Sequence, residues 1–312
     1  DGLEVSMPVF KHNQWVFSAL PRDINKVQPK VFLIMESMPK RIDLEDPDQV
    51  FRFRDGRVEF IDMATNSIVE GRSKRFTDIF KDRGFTLPLR SFSANITSRK
   101  PYDEGYLMVD SGNEVYHLKM QAGRPYMVRL RKPDSLKCSH VFVMENGDNR
   151  HLGFMTDTEN RLYIIEKSGY RIIPFANTRY NPVTDRIQVF KSLFNYVVRI
   201  SGENETRWDV YDSFDYRPLA HFSKTAETSR SEKVASYIFP YQLSFTSVSD
   251  CIVKPRIEMI SWHACFLNIL LGIIIFAMLI RRRRCIPFAS SCDAITLVFG
   301  IFAFITLIII KE

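Results

Sequence analysis

Cys138, His140 and His151 are the residues of this chain whose types come nearest to a soft-metal ligand set. Thiolate and imidazole suit zinc, which takes about four such ligands. Cys138 and His140 share one strand face only if the strand is regular, and no fourth ligand is evident. A packed cysteine and a surface histidine are therefore expected, and no metal site. The turns Asp110-Ser111-Gly112-Asn113 and Asp157-Thr158-Glu159-Asn160 offer oxygen ligands, but calcium needs roughly six to eight of them. Asx hydrogen bonds within each turn account for the same residues. G-x-x-x-x-G-K, G-x-G-x-x-G, G-x-S-x-G and H-E-x-x-H do not occur in the sequence. No catalytic or cofactor-binding residue is assigned, and an enzyme is not expected. The sequons Asn95-Ile96-Thr97 and Asn204-Glu205-Thr206 matter only in a host that glycosylates exported proteins.

The chemistry that the sequence does specify is that of a bilayer. Residues 259–280 and 294–310 carry no formal charge, and about 20 such apolar residues cross a membrane as a helix. Between them stand Arg281, Arg282, Arg283 and Arg284. A short connection carrying that charge is retained in the cytoplasm by the positive-inside rule. Residues 1–258 are then expected on the opposite face. Trp262 fits the aromatic belt at the outer interface. Asn268 and, one turn later, Gly272 mark a face for helix contact, either with Gly300 of the second span or with a partner. The chain opens Asp1-Gly2-Leu3-Glu4 without an apolar leader, so a cleaved signal or a further spanning helix upstream is expected. Cys265, Cys285 and Cys292 lie in or beside the spans, which leaves Cys138 and Cys251 as the one pair able to meet in the exported part. The 43 basic and 36 acidic side chains give +7. With the arginine quartet set aside the surplus is too small for a large nucleic-acid face.

The exported part reads as strands and turns. Phe51-Arg52-Phe53-Arg54 meets Asp55-Gly56 and returns as Arg57 to Ile61, the grammar of a two-residue hairpin. Tyr106 to Val109 with Val115 to Leu118, Phe154 to Thr156 with Leu162 to Ile165, and Tyr196 to Ile200 with Trp208 to Tyr211 repeat it. Asp110 and Asp157, Asn113 and Asn160, Tyr116 and Tyr163 align at one 47-residue offset. Shorter apolar runs at Tyr126 to Leu130, His140 to Met144 and Tyr170 to Ile173 bring each unit to about four strands, the count of a propeller blade. Val31 to Glu36 resembles Val141 to Glu145 and is assigned to a related unit. Ser73 is placed as the cap of a helix over 74–83, ended by Gly84 and inserted between units, and Ser231 as the cap of one over 232–239. The expected architecture is mainly β, propeller-like or an open meander or sandwich over residues 1–240, then a juxtamembrane linker at 241–258 and the two-helix anchor at 259–310.

Lys100-Pro101-Tyr102-Asp103-Glu104-Gly105-Tyr106, followed by Val115-Tyr116-His117-Leu118-Lys119-Met120 and by Gly153-Phe154, resembles an uncharacterised bacterial family of exported proteins with a C-terminal two-helix anchor. The resemblance runs from about Val27 to the end. It implies an inner-membrane location and an accessory role beside ABC transporter components, and it transfers no catalytic residue. The expected function is noncatalytic binding of a ligand or membrane-protein partner, such as a transporter subunit, by a protein anchored in the lipid bilayer. A ligand sensor signalling through the helix pair and an envelope enzyme acting on a glycan are the alternatives. The first has little cytoplasmic chain for output, and the second requires carboxylates clustered in one pocket.

Overall fold

The computed structural model describes residues 13–25, 29–39, 43–145 and 149–225, and beyond them 234, 236, 239, 241–245, 255–259, 261–270 and 273. The chain divides into two compact units, Asp1–Ala226 and Glu227–Glu312.

The first unit runs β1 (Trp15–Ala19), β2 (Phe32–Leu33), β3 (Gln49–Arg54), β4 (Arg57–Asp62), the helix α1 (Glu70–Asp82), β5 (Ser91–Ala94), β6 (Tyr106–Val109), β7 (Val115–Gln121) and β8 (Arg124–Arg129). It continues with β9 (Cys138–Val143), β10 (His151–Asp157), β11 (Arg161–Glu166), β12 (Ile172–Arg179), β13 (Arg186–Lys191), β14 (Asn195–Ser201), β15 (Glu205–Asp212) and β16 (Pro218–Thr225). The strands form four antiparallel sheets: β2-β3-β4, β5-β6-β7-β8, β12-β11-β10-β9 and β1-β13-β14-β15-β16. Asp55 and Gly56 both take positive φ and close the β3–β4 hairpin at Arg54 and Arg57, the two-residue turn whose twist matches the strands.

Period-two alternation assigns the strand faces, and the sheets stack through three cores in chain order. Tyr106 and Met108 of β6, with Tyr116 and Leu118 of β7, pack on Phe51 and Phe60 of the first sheet. Their neighbours Leu107, Val109 and Val115 face the third sheet at Val141, Met155 and Ile165. The other face of that third sheet, with Phe142, Phe154 and Ile164, packs on Ile187, Tyr196, Val198 and Tyr211 of the fourth. The middle sheets are thus covered on both faces, and β10 is buried at every residue. That is why they read as near-continuous apolar runs with little alternation. Meander sheets stacked in series are how consecutive propeller blades are arranged, so the unit is mainly β and propeller-like.

Several expectations change. The first sheet has three strands, and α1 runs beside β4. Phe60 N donates to Ser73 Oγ at 2.8 Å and Val58 N to Thr77 Oγ1 at 3.0 Å. α1 therefore stands where a fourth strand would bond. Ser73 is not its cap: the helix starts at Glu70, and the Ser73 hydroxyl lies inside it, donating to Val69 O. Ser168–Tyr170 forms a 3-10 turn where a strand was expected, and β12 begins two residues later. β1, β5, β13 and β16 were not expected. Cys138 is a free thiol in the core between the second and third sheets, not half of a disulfide with Cys251, which lies outside the described residues.

In the second unit β17 (Tyr241–Phe245) pairs antiparallel with β18 (Pro255–Met259), so the stretch expected to be a plain linker holds a hairpin. Most of the helix expected over 232–239 lies outside the described residues. Residues 262–270 are helical, so the apolar helix begins after Met259. Among the described residues no helix is long and apolar enough to cross a membrane. The anchor hairpin is thus not among the described elements: Gly272, Arg281 to Arg284, the second expected span and Gly300 all lie outside them.

Candidate functional site

At one end of the interface between the second and third sheets the apolar core gives way to charge. His117 and Lys119 lie on the same face of β7 as Val115, by the two-residue period of the strand. The segment entering β6 brings Lys100, Asp103 and Glu104 over them. It is pinned at Gly105, whose φ is +64° and where a Cβ would lie 2.2 Å from Leu118 O. Only glycine lets the backbone approach that closely. Glu145 follows β9 and Lys167 follows β11, so the third sheet supplies the other wall.

Lys100 Nζ lies 2.6 Å from Asp103 Oδ1 and 2.7 Å from Glu145 Oε1, and also donates to Asn95 O. Glu145 accepts from the Glu104 backbone N–H at 2.7 Å and from Asn95 Nδ2 at 2.9 Å. Ser37 Oγ donates to Asp103 Oδ2 at 2.5 Å. Glu104 receives Lys119 at 2.6 Å on Oε2 and Lys167 on Oε1, and Lys167 stands 5.0 Å from the centre of the Tyr102 ring. His117 Nε2 lies 2.7 Å from Glu104 O, and its Nδ1 lies 2.9 Å from Tyr170 Oη. A carbonyl only accepts, so Nε2 carries the proton and Nδ1 accepts from the tyrosine. Tyr170 Oη is in turn 3.4 Å from Tyr126 Oη at the surface.

Three ammonium groups face three carboxylates, and the side chains of Asp103, Glu104, Glu145 and His117 are all 1% exposed or less. Burial acts to raise Glu104, but Lys119 and Lys167 outweigh it and hold the carboxyl below the ordinary range. Glu145 shares a single lysine, and burial pushes it up against the Glu104 N–H and Lys100. Burial lowers His117 to about 4 despite its bond to Glu104 O, so the ring is neutral at neutral pH. Burial, reinforced by Tyr126, raises Tyr170. The pairs Lys100–Glu145 and Lys167–Glu104 cross from sheet to sheet. The lone pairs that a general base would use are already taken by lysine and backbone donors, so the arrangement clamps two sheets and is not laid out for proton transfer.

Sequence reasoning singled out this very string, Lys100 to Tyr106 with His117 and Lys119, but read it as strands and turns. The available signal was the polar pair His117 and Lys119 at period two inside an otherwise apolar strand. Glu145 and Lys167 carried none, because partners so far apart in sequence meet only through sheet stacking.

The other candidates do not assemble. Cys138 donates to His140 O at 3.6 Å from within the core, whereas His151 Nε2, at the far end of β10, bonds Tyr216 and Tyr196. Among the described residues no three His, Cys, Asp or Glu side chains are placed to hold a metal. The aligned turns are equivalent at the first aspartate oxygen. Asp110 Oδ1 accepts from the Gly112 and Glu114 amides, and Asp157 Oδ1 from the Glu159 and Arg161 amides. Tyr163 donates to Asp157 Oδ2 at 3.0 Å, whereas the Tyr116 hydroxyl lies 3.4 Å from Asp110 Oδ2 and nearer, at 3.1 Å, to Gly84 O; Asn113 and Asn160 both have φ of 63°. Trp262 is 76% exposed, while Asn268 is 3% exposed and donates Nδ2 to Ala264 O at 2.8 Å.

A second feature escaped sequence reasoning. The fourth sheet buries one face in the core and leaves the other open, as the strict alternation of β14 requires. Val16, Phe190 and Phe222 are exposed on it, with Phe194 and Phe214 at adjacent turns.

The model of DUF4857, a domain of unknown function, matches residues 1–210. No curated protein matches. Among solved structures, the β-propeller domain of Myceliophteria thermophila Cps50 (Swd1) is 13% identical with a TM-score of 0.30, covering 65% of this chain and 58% of that one. The Dos1 propeller is 13% identical with a TM-score of 0.33, over 57% of this chain and 45% of its own. PorZ of Porphyromonas gingivalis, a bacterial surface component of the type-IX secretion system, is 8% identical with a TM-score of 0.27, over 62% and 21%. The alignments thus span less than two thirds of each of those chains.

Proposed function

The chain belongs to the DUF4857 family, and from that premise we propose that it is a noncatalytic, membrane-anchored binding protein serving a bacterial transport or envelope complex. The observation that carries this reading is the neutralised cluster. The ionisable groups that sequence resemblance gathers at Lys100 to Tyr106 and at His117 and Lys119 are spent on holding two sheets together. Recognition then falls to the exposed loops and faces of a rigid β support, which is where binding proteins place it.

Anchoring rests on the sequence: the apolar stretches within 259–280, from Trp262 on, and at 294–310 would form a helical hairpin, with Arg281 to Arg284 keeping its bend in the cytoplasm and the β unit working outside the inner membrane. The described helix at 262–270 is compatible with this, since Trp262, Phe266, Ile269 and Leu270 are exposed, as side chains facing lipid would be. Purification in mild detergent tests the reading. A stoichiometric membrane protein retained with the chain is the expected result. A monomer that turns over an envelope glycan would overturn it in favour of the enzyme.

A further inference from the structure

The open face of the fourth sheet has an order along its strands that a general apolar patch lacks. Register fixes three long rows across it and, next to the turns at 192–194 and 213–217, the short pair Asn195–Asp212. Beyond that pair lies Val16–Phe190–Val197–Val210–Ala220. Two residues further along lies Ser18–Gln188–Arg199–Trp208–Phe222, in which the Arg199 guanidinium sits 5.8 Å from the centre of the Trp208 ring system. Beyond that lies Arg186–Ser201–Thr206–Lys224. Across the three long rows polarity thus climbs from aliphatic, through aromatic and cationic, to cationic and hydroxylic over about 13 Å of strand at roughly 3.3 Å per residue. Past the Asn195–Asp212 pair, beyond the aliphatic row, the two turns meet, Ser213 N donating to Phe194 O at 3.0 Å. They hold out Phe194 and Phe214, 66% and 74% exposed.

We propose that this end of the fourth sheet seats tip-first in the headgroup region of a bilayer containing anionic phospholipid, with Phe194 and Phe214 reaching the acyl boundary. A bilayer surface is the one partner whose own polarity changes along a single axis over that distance, and interfacial elements bury apolar side chains about 5–10 Å deep. Tryptophan and arginine belong at headgroup level, and cations outside it are attracted by anionic lipid at about 1 kcal/mol each. The three long rows contain Arg186, Arg199 and Lys224, and the carboxylate of this face, Asp212, stands beside the turns. A second copy laid face to face would oppose like charges, which disfavours self-association. Asp212 and Asp215 at the turn direct Oδ1 at the amides of Phe214 and Arg217. With Arg217 beside them, they limit insertion to the interface.

This rests on the reading that the chain is tethered to a membrane, and the experiment separates the two. The full chain is placed in nanodiscs of phosphatidylglycerol with phosphatidylcholine, or of phosphatidylcholine alone, and amide exchange is followed by mass spectrometry. Slowing of exchange by tenfold or more at 192–195 and 213–217 is expected in the anionic discs alone. The turns at 110–113 and 157–160, which lack an exposed phenylalanine, serve as unchanged controls. Phe194→Ser/Phe214→Ser should abolish the slowing while leaving the melting temperature of the unit in place. Unprotected turns in a chain that remains embedded overturn the proposal but not the anchor, and so does protection that appears only with a protein partner present. If alkaline carbonate extracts the chain, the anchor fails and the proposal is judged by sedimentation with phosphatidylglycerol vesicles: binding that the double variant loses sustains it, and no binding overturns it.

Discussion

Lys119 is the residue at which the cluster is most easily unbalanced. Its ammonium lies 2.6 Å from Glu104, a carboxylate whose side chain is 1% exposed. Breaking a buried pair by removing its only partner costs about 3–5 kcal/mol, and Lys167 stays on Glu104 Oε1 when Lys119 is removed, so the loss should fall short of that range. Lys119→Met should therefore lower the urea midpoint, by less than an unpaired buried carboxylate would. Lys119→Met/Glu104→Gln should cost less than the two single changes added together, the signature of coupled neighbours. His117 supplies a pH dependence whose sign is fixed by its environment. Its folded pKa of about 4 lies below the unfolded value near 6.5, so the unfolded chain binds the proton first and stability falls as pH drops from about 6.5 toward 4. His140, also lowered by burial, acts in the same direction, and Glu145, raised by burial, acts in the opposite one. The contribution of His117 is thus read as a difference: unfolding free energy between pH 7 and 5 should fall less steeply in His117→Gln than in the parent. Equal slopes would refute the assignment.

Among the elements, α1 carries most of what periodicity alone misjudged. The helix was legible from Phe76, Ile79 and Phe80, but its start was placed at Ser73 because serine is a strong cap. The hydroxyl is instead used sideways, accepting from Phe60 N on β4, a contact thirteen residues distant that no local pattern announces. Ser73→Ala should leave that buried N–H without its acceptor and cost about 1–3 kcal/mol, measured by thermal unfolding. A change below about 0.5 kcal/mol would mean that α1 does not complete the first sheet. Hairpins were legible wherever a turn signal separated two apolar runs, as at Asp55-Gly56. Three strands of the fourth sheet, β1, β13 and β16, were missed. Gly153 was visible only in the Gly153-Phe154 pair that contributes to the family resemblance, yet a Cβ there would lie 1.9 Å from Phe142 O on β9. Gly153→Ala should force β9 and β10 apart, at a cost well above the roughly 1 kcal/mol typical of point substitutions. Failure to yield folded protein, or a melting temperature lowered by many degrees, is the expected outcome.

At the scale of the whole molecule, the sheets are bound in series by three cores, and each inner sheet is stable only because both of its faces are covered. That order was legible as a repeat because the aspartate turns recur in register. The sheet-crossing ion pairs and the open face of the fourth sheet were not legible, since both depend on which strand lies opposite which. The topology proposed for the chain has an internal probe. Cys285 directly follows Arg284 in the expected cytoplasmic bend, and Asn204 is exposed in the turn between β14 and β15. With Cys251, Cys265 and Cys292 replaced by serine and the buried Cys138 retained, an impermeant maleimide should label Asn204→Cys but not Cys285 in intact spheroplasts. Inverted vesicles should give the reverse. Arginines in a short loop set orientation because moving them across the membrane is opposed during insertion, so replacing Arg281 to Arg284 with glutamine should blur the pattern and leave both positions partly labelled in both preparations. Labelling of Cys285 from outside in the unaltered quartet would invert the topology and place the β unit in the cytoplasm, where a transporter's exported face could not be its partner.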